Sequence, residues 1–171
     1  RMHAPLPKRW DSLAASLLDA LPYLIAYPYG CTEQTISRFI PAVATSLTLK
    51  EMGLSLAEVA RQRKNLLRAS ERGGNPAIVD DQVLADVIAA GLARLSGHQN
   101  RDGGFGWWRN DRSSPYLTAY AISGLRMARD AGYPVSERMI KRGLRFLRNE
   151  ASEIRELHTA TYVSLVLARS G

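Results

Sequence analysis

The sequence predicts an all-α fold built from stacked helical hairpins, on three observations. Apolar residues recur at helical spacing through nearly the whole chain. No segment alternates apolar and polar residues, as a half-buried strand must, over more than a few positions. A weak internal repeat is present: Gly91-Leu-Ala-Arg-Leu95 matches Gly143-Leu-Arg-Phe-Leu147, and TAYAISGLRMAR from Thr118 matches HTATYVSLVLAR from His158, about 40 positions on. In each copy a helix of the first type precedes one of the second, which is the pattern of hairpins that bury their faces on one another.

Taken in order, Asp11 starts a helix with Leu13, Leu17, Leu18 and Leu21 on one side, and Pro28 and Gly30 end it in a turn. A second helix is expected over 33–52, stopped by Gly53, with Pro41 predicting a kink or a late start. A third is expected over 55–72, where Ser55 and Glu58 form a capping box. The turn at 73–76 (GGNP) follows, and Asp80 or Asp81 caps a fourth helix striped by Leu84, Ile88, Leu92 and Leu95. His98, in a loop, leads into the Gly-rich aromatic stretch that ends at Trp107 and Trp108. Ser114-Pro115 opens a fifth helix that ends at Gly132. Ser136 opens a sixth, to about Asn149, and a seventh runs from about Leu157 to Arg169.

A chain of 171 residues suits one domain with one core, spanning 1–171, and needs no disulfide staple. The net charge of +7 comes from 23 Lys and Arg against 16 Asp and Glu. Much of it sits at 61–72 (RQRKNLLRASER) and 138–148 (RMIKRGLRFLR). Such stretches suit an anionic partner or the solvated face of amphipathic helices. The interleaved Leu, Ile and Phe favour the second, and no nucleic-acid motif supports the first. No apolar run approaches the roughly 20 residues that span a bilayer, so membrane insertion is not expected. The chain opens Arg1-Met2-His3 with no apolar segment behind it and reads as a domain of a longer protein. Three scattered histidines and one cysteine give no metal-site spacing, and no cofactor motif occurs.

The chemistry is concentrated in Gly30-Cys31-Thr32-Glu33-Gln34, which holds the only cysteine. An isolated cysteine is commonly a small buried hydrophobe. Here Pro28 and Gly30 place it at a helix entrance, where unpaired N–H groups and the positive dipole end stabilise a thiolate. Residues three apart share one face of a helical turn, so the Cys31 sulfur and the Gln34 side-chain carbon can meet. Condensing thiol and carboxamide would release ammonia, a loss of roughly 17 Da, and leave an internal thioester. Such a bond needs shielding from water. Tyr27 and Tyr29 are the first candidates; Trp107, Trp108 and Tyr116 are the second, should the Gly-rich loop fold over the site. Plain core packing is the alternative for all five.

Tyr27-Pro-Tyr-Gly-Cys-Thr-Glu-Gln34 resembles the thioester motif of the alpha-2-macroglobulin and complement superfamily, in its bacterial alpha-2-macroglobulin form. Gln99-Asn-Arg-Asp-Gly-Gly-Phe-Gly-Trp107 resembles the Gln-x-x-Asp-Gly-x-aromatic-Gly element of the same domain, and the stretch from Ser114 to Tyr120 resembles the helix after it. The resemblance implies an α/α toroid of inner and outer helices. The seven helices expected here make an incomplete ring, with apolar faces that self-association or rearrangement would cover. It also implies a protease-trapping domain in a cell-envelope or periplasmic defence protein, with target proteases and the other domains of the parent protein as partners. Gln34 would supply the acyl group, and Cys31 the leaving thiolate. Glu33 matches a motif glutamate, and His158 stands where some members place a histidine that forms an acyl-imidazole. A surface histidine at a helix N-terminus is the alternative for His158. Other readings of the chain are an interaction module with a hydrolysed thioester, or a toroid enzyme of cyclase or glycosidase type.

Overall fold

The computed structural model describes residues 30–53, 55 and 81–170. The helices expected from Asp11 and over 55–72, the 73–76 turn, the basic stretch at 61–72, and Tyr27 and Tyr29 lie outside the described residues. Those described form five α-helices: α1 (Thr32–Glu51), α2 (Asp81–His98), α3 (Pro115–Asp130), α4 (Glu137–Glu150) and α5 (Leu157–Ala168). A short 3-10 turn, Ala151–Glu153, joins the last two. Extended pairing among the described residues is confined to isolated bridges, Gln99 with Phe105 and Phe105 with Ser114.

The helix starts follow their capping residues. Ser114 Oγ accepts from the Leu117 N–H at 3.4 Å with Pro115 in the first turn, and Ser136 Oγ accepts from the Met139 N–H at 3.4 Å. α1 begins ahead of Pro41 and runs on through it. Proline removes one ladder bond there. Burial of Ile36, Phe39 and Val43 at 0–1% exposure holds the helix together across that gap. Each such side chain contributes roughly 1.5–3 kcal/mol.

α1 packs on α2 and α3, α3 packs on α4 and α5, and α4 meets α5. The repeated Gly-Leu element has a packing meaning. A Cβ on Gly91 of α2 would sit 2.7 Å from Phe39 Cδ2 of α1. One on Gly143 of α4 would sit 2.4 Å from Ile122 Cδ1 of α3. In both copies the glycine makes room for a large side chain of the neighbouring helix. In α4, Ile140, Leu144 and Leu147 are buried while Arg138, Lys141, Arg145 and Arg148 are exposed, so the basic residues of 138–148 form a solvated outer face.

The Gly-rich segment between α2 and α3 is held from every side. Gln99 Nε2 donates to the carbonyls of Gly103 and Met139, both at 2.9 Å. Asp102 Oδ1 accepts from the Gly104 N–H and the Ser113 hydroxyl, both at 2.9 Å. Arg142 Nη2 donates to the Asn100 carbonyl at 2.6 Å. Gly103 has φ +97°, and a Cβ there would meet the Arg142 carbonyl oxygen at 2.5 Å, so only glycine fits. Phe105, fully buried, anchors the loop; its N–H donates to Thr118 Oγ1 at 2.9 Å, and its carbonyl accepts from the Ser114 N–H at 2.8 Å.

Candidate functional site

Cys31 is the N-cap of α1, and it forms a reciprocal capping box with Gln34. The Gln34 N–H points to Cys31 Sγ at 3.5 Å, and Gln34 Oε1 accepts from the Cys31 N–H at 3.2 Å. Both side chains therefore fold into the same turn. Cys31 takes part in no disulfide among the described residues and is buried, at 7% exposure, whereas Gln34 is exposed. Gly30 leaves room for the Gln34 side chain, because a Cβ there would lie 2.9 Å from Gln34 Oε1 and 3.1 Å from Gln34 Cβ. A flexible side-chain end can yield cheaply, so Gly30→Ala is expected to change stability little. It should displace the Gln34 carboxamide from the Cys31 N–H, as faster hydrogen exchange of that amide would measure.

The next residue is pinned twice. The Thr32 N–H, which a helix N-terminus would leave without an intrahelical partner, donates to the Trp107 carbonyl at 2.8 Å. The Thr32 hydroxyl, fully buried, shares a 2.9 Å hydrogen bond with His98 Nδ1. The Gly-rich loop thus meets the Cys31 turn through a backbone carbonyl. The Trp107 and Trp108 side chains are 54% and 58% exposed. Tyr116, 42% exposed, packs with Tyr120 and Tyr162 at centroid distances of 6.3 and 5.8 Å. Glu33 accepts from the Ser37 hydroxyl at 2.6 Å, and Ser37 Oγ lies 3.3 Å from the Tyr120 hydroxyl of α3. That contact ties the first turn of α1 to α3 and places a carboxylate at the positive helix end.

His98 was expected in a loop. It is instead the last residue of α2, half-buried beside Thr32. Burial, then Arg94, then Arg109 hold its pKa below the ordinary 6.5. The unfolded chain therefore takes up a proton first as pH falls below about 6.5, and folding stability drops towards the lower folded value. His98→Asn is expected to lose less stability than wild type between about pH 7 and 5.5, as denaturant midpoints at each pH would record.

His158 lies in the first turn of α5, 74% exposed, with Nε2 3.5 Å from Glu156 Oε2. Its ion-pair contact is with Glu156 and not with the Cys31 turn. Nearby, a cleft of about 560 Å³ is lined by Trp107, Arg112, Tyr116, Glu150, Glu153 and Glu156, among others. Its carboxylates all come from the 150–156 segment.

Comparison with known proteins places the chain in a family. The A-macroglobulin TED domain family matches residues 11–154. The alpha-2-macroglobulin of Thermotoga maritima is 33% identical over 157 residues, covering 92% of this chain and 8% of that protein. The Escherichia coli alpha-2-macroglobulin is 30% identical over 161 residues, covering 85% of this chain and 8% of that protein. The chain thus spans about a twelfth of the relatives it matches. The crystal structure of the native Escherichia coli protein from domain MG7 to the C-terminus superposes with a TM-score of 0.61 and 26% identity, over 90% of this chain and 23% of that one. Salmonella alpha-2-macroglobulin reacted with methylamine gives a TM-score of 0.62 and 30% identity, over 90% of this chain and 10% of that one. With its helical hairpins arranged in the α/α-toroid manner and its Cys-Thr-Glu-Gln turn at a helix entrance, the chain belongs to the A-macroglobulin TED domain family.

Proposed function

We propose that Cys31 and Gln34 form an internal thioester, and that this domain, within a larger alpha-2-macroglobulin-like protein of the cell envelope, acylates attacking proteases and holds them covalently. The observation that carries this reading is the reciprocal Cys31–Gln34 capping box, with Cys31 buried and Gln34 open to solvent. Condensation of the thiol with the carboxamide forms the S–C bond and releases ammonia. A lysine amine or a hydroxyl of the protease then attacks the exposed Gln34 carbonyl carbon. The C–S bond breaks, the new amide or ester forms, and the nucleophile's proton ends on the Cys31 sulfur. The sulfur leaves at the N-terminal turn of α1, of which Cys31 is the N-cap. Each molecule acts once, since the acyl group is consumed.

Methylamine tests the reading directly. In the intact protein it should release one thiol, at Cys31, and raise the mass of the Gln34 peptide by roughly 14 Da over plain glutamine. A thiol that is free before treatment, with no mass gain, would leave an interaction module with a hydrolysed thioester. The Salmonella relative was itself reacted with methylamine. In this route the acceptor attacks directly, and His158 stands at the surface beside Glu156. His158→Ala is expected to leave the balance between methylamine and glycerol uptake unchanged; a shift towards amines would restore the acyl-imidazole route.

A further inference from the structure

The Thr32–His98 pair has no part in the acyl transfer just described, yet it sits one residue from the sulfur. Thr32 is fully buried; its N–H donates to the Trp107 carbonyl of the following loop at 2.8 Å, and its hydroxyl shares a 2.9 Å hydrogen bond with Nδ1 of His98, the last residue of α2. A buried hydroxyl that loses its partner leaves a desolvated polar atom behind, which is costlier than the bond itself is worth. The pair therefore locks the first residue of α1 in one place. Cys31 and Gln34 flank that residue, and their closure into a small ring depends on the turn not fraying. Gln34 also relies on the Cys31 N–H for its own orientation, at 3.2 Å.

Resting on the thioester reading above, we propose that His98 is a positioning residue for the thioester. Through Thr32 it clamps the Cys31 turn onto the C-terminal end of α2, and so sets how long the bond survives in water and how readily it forms. His98 reaches neither the sulfur nor the carbonyl carbon in this role; it acts on Thr32 alone. The role asks only for a polar atom where Nδ1 stands. Asparagine can supply one, and leucine cannot.

The test uses the intact protein, with methylamine as probe and thiol appearance without amine as the measure of thioester lifetime. His98→Leu and Thr32→Val are each expected to shorten that lifetime by roughly tenfold at unchanged circular dichroism. The double variant should be no worse than the weaker single one, because both remove the same bond. His98→Asn should stay within about twofold of wild type. Should His98→Leu fail to fold, Thr32→Val, which keeps the shape of threonine, decides the matter. A folded variant with wild-type lifetime, or additive losses in the double variant, overturns the role of His98 while leaving the thioester in place. A wild-type protein that releases no thiol to methylamine overturns both.

Discussion

Cys31→Ser is expected to take up no methylamine at Gln34 while unfolding at or above the wild-type denaturant concentration. The two parts of this expectation come from different properties of one atom. As a helix cap, sulfur is a weak acceptor, and the Gln34 N–H reaches it only at 3.5 Å. Serine is among the best N-caps, worth typically about 1 kcal/mol over alanine, so the turn should be held as well or better. As a leaving group, the comparison reverses. A free thiol ionises near pH 8.5, so sulfur leaves readily as a thiolate. A serine alkoxide has no such stability, and an ester between residues 31 and 34 would not form from the amide. Amine uptake should therefore fall from one equivalent to none, measured as thiol release and peptide mass. Methylamine on Gln34 in the serine variant would refute the thioester.

Phe105→Ala is expected to cost about 3–5 kcal/mol of folding stability, read from urea unfolding. A loop phenylalanine on the surface would cost nearly nothing. Phe105 is fully buried, and both its backbone groups are engaged, with Thr118 Oγ1 at 2.9 Å and the Ser114 N–H at 2.8 Å. The cavity left in the core is one part of the loss. The functional part follows from the loop's shape, since Trp107, two residues on, supplies the carbonyl that holds the Thr32 N–H. The variant's thioester should hydrolyse faster than wild type at a temperature where both are folded. A stability change under about 1 kcal/mol would show that the loop does not depend on this anchor.

Much of this was legible in the sequence because it is local. The Cys31–Gln34 capping box is of this kind, since residues three apart share the first turn of a helix. Ser114 and Ser136 marked their helices because a cap acts within one turn. The helix around Pro41 was legible too, but not its early start: burial of Phe39 and Val43, which the chain acquires only on packing, carries it from Thr32 through the proline. The role of His98 was hidden because its partner is 66 positions away. Trp107 drew attention for its ring, but the contact it makes with the Cys31 turn is through its carbonyl, a group every residue carries. Glu33 had no derivable role until Ser37 and Tyr120 stood beside it.

The double tether on Thr32 bears on anyone wishing to move this chemistry to another scaffold. Copying the tetrapeptide onto the start of a foreign helix would carry over the reacting atoms but not their support. The foreign helix would offer neither a carbonyl for the first amide nor an imidazole for the buried hydroxyl. The smallest portable device is therefore discontinuous, pairing the Gly30–Gln34 turn with the loop from His98 to Trp107, and a designer must import both pieces with their spacing intact.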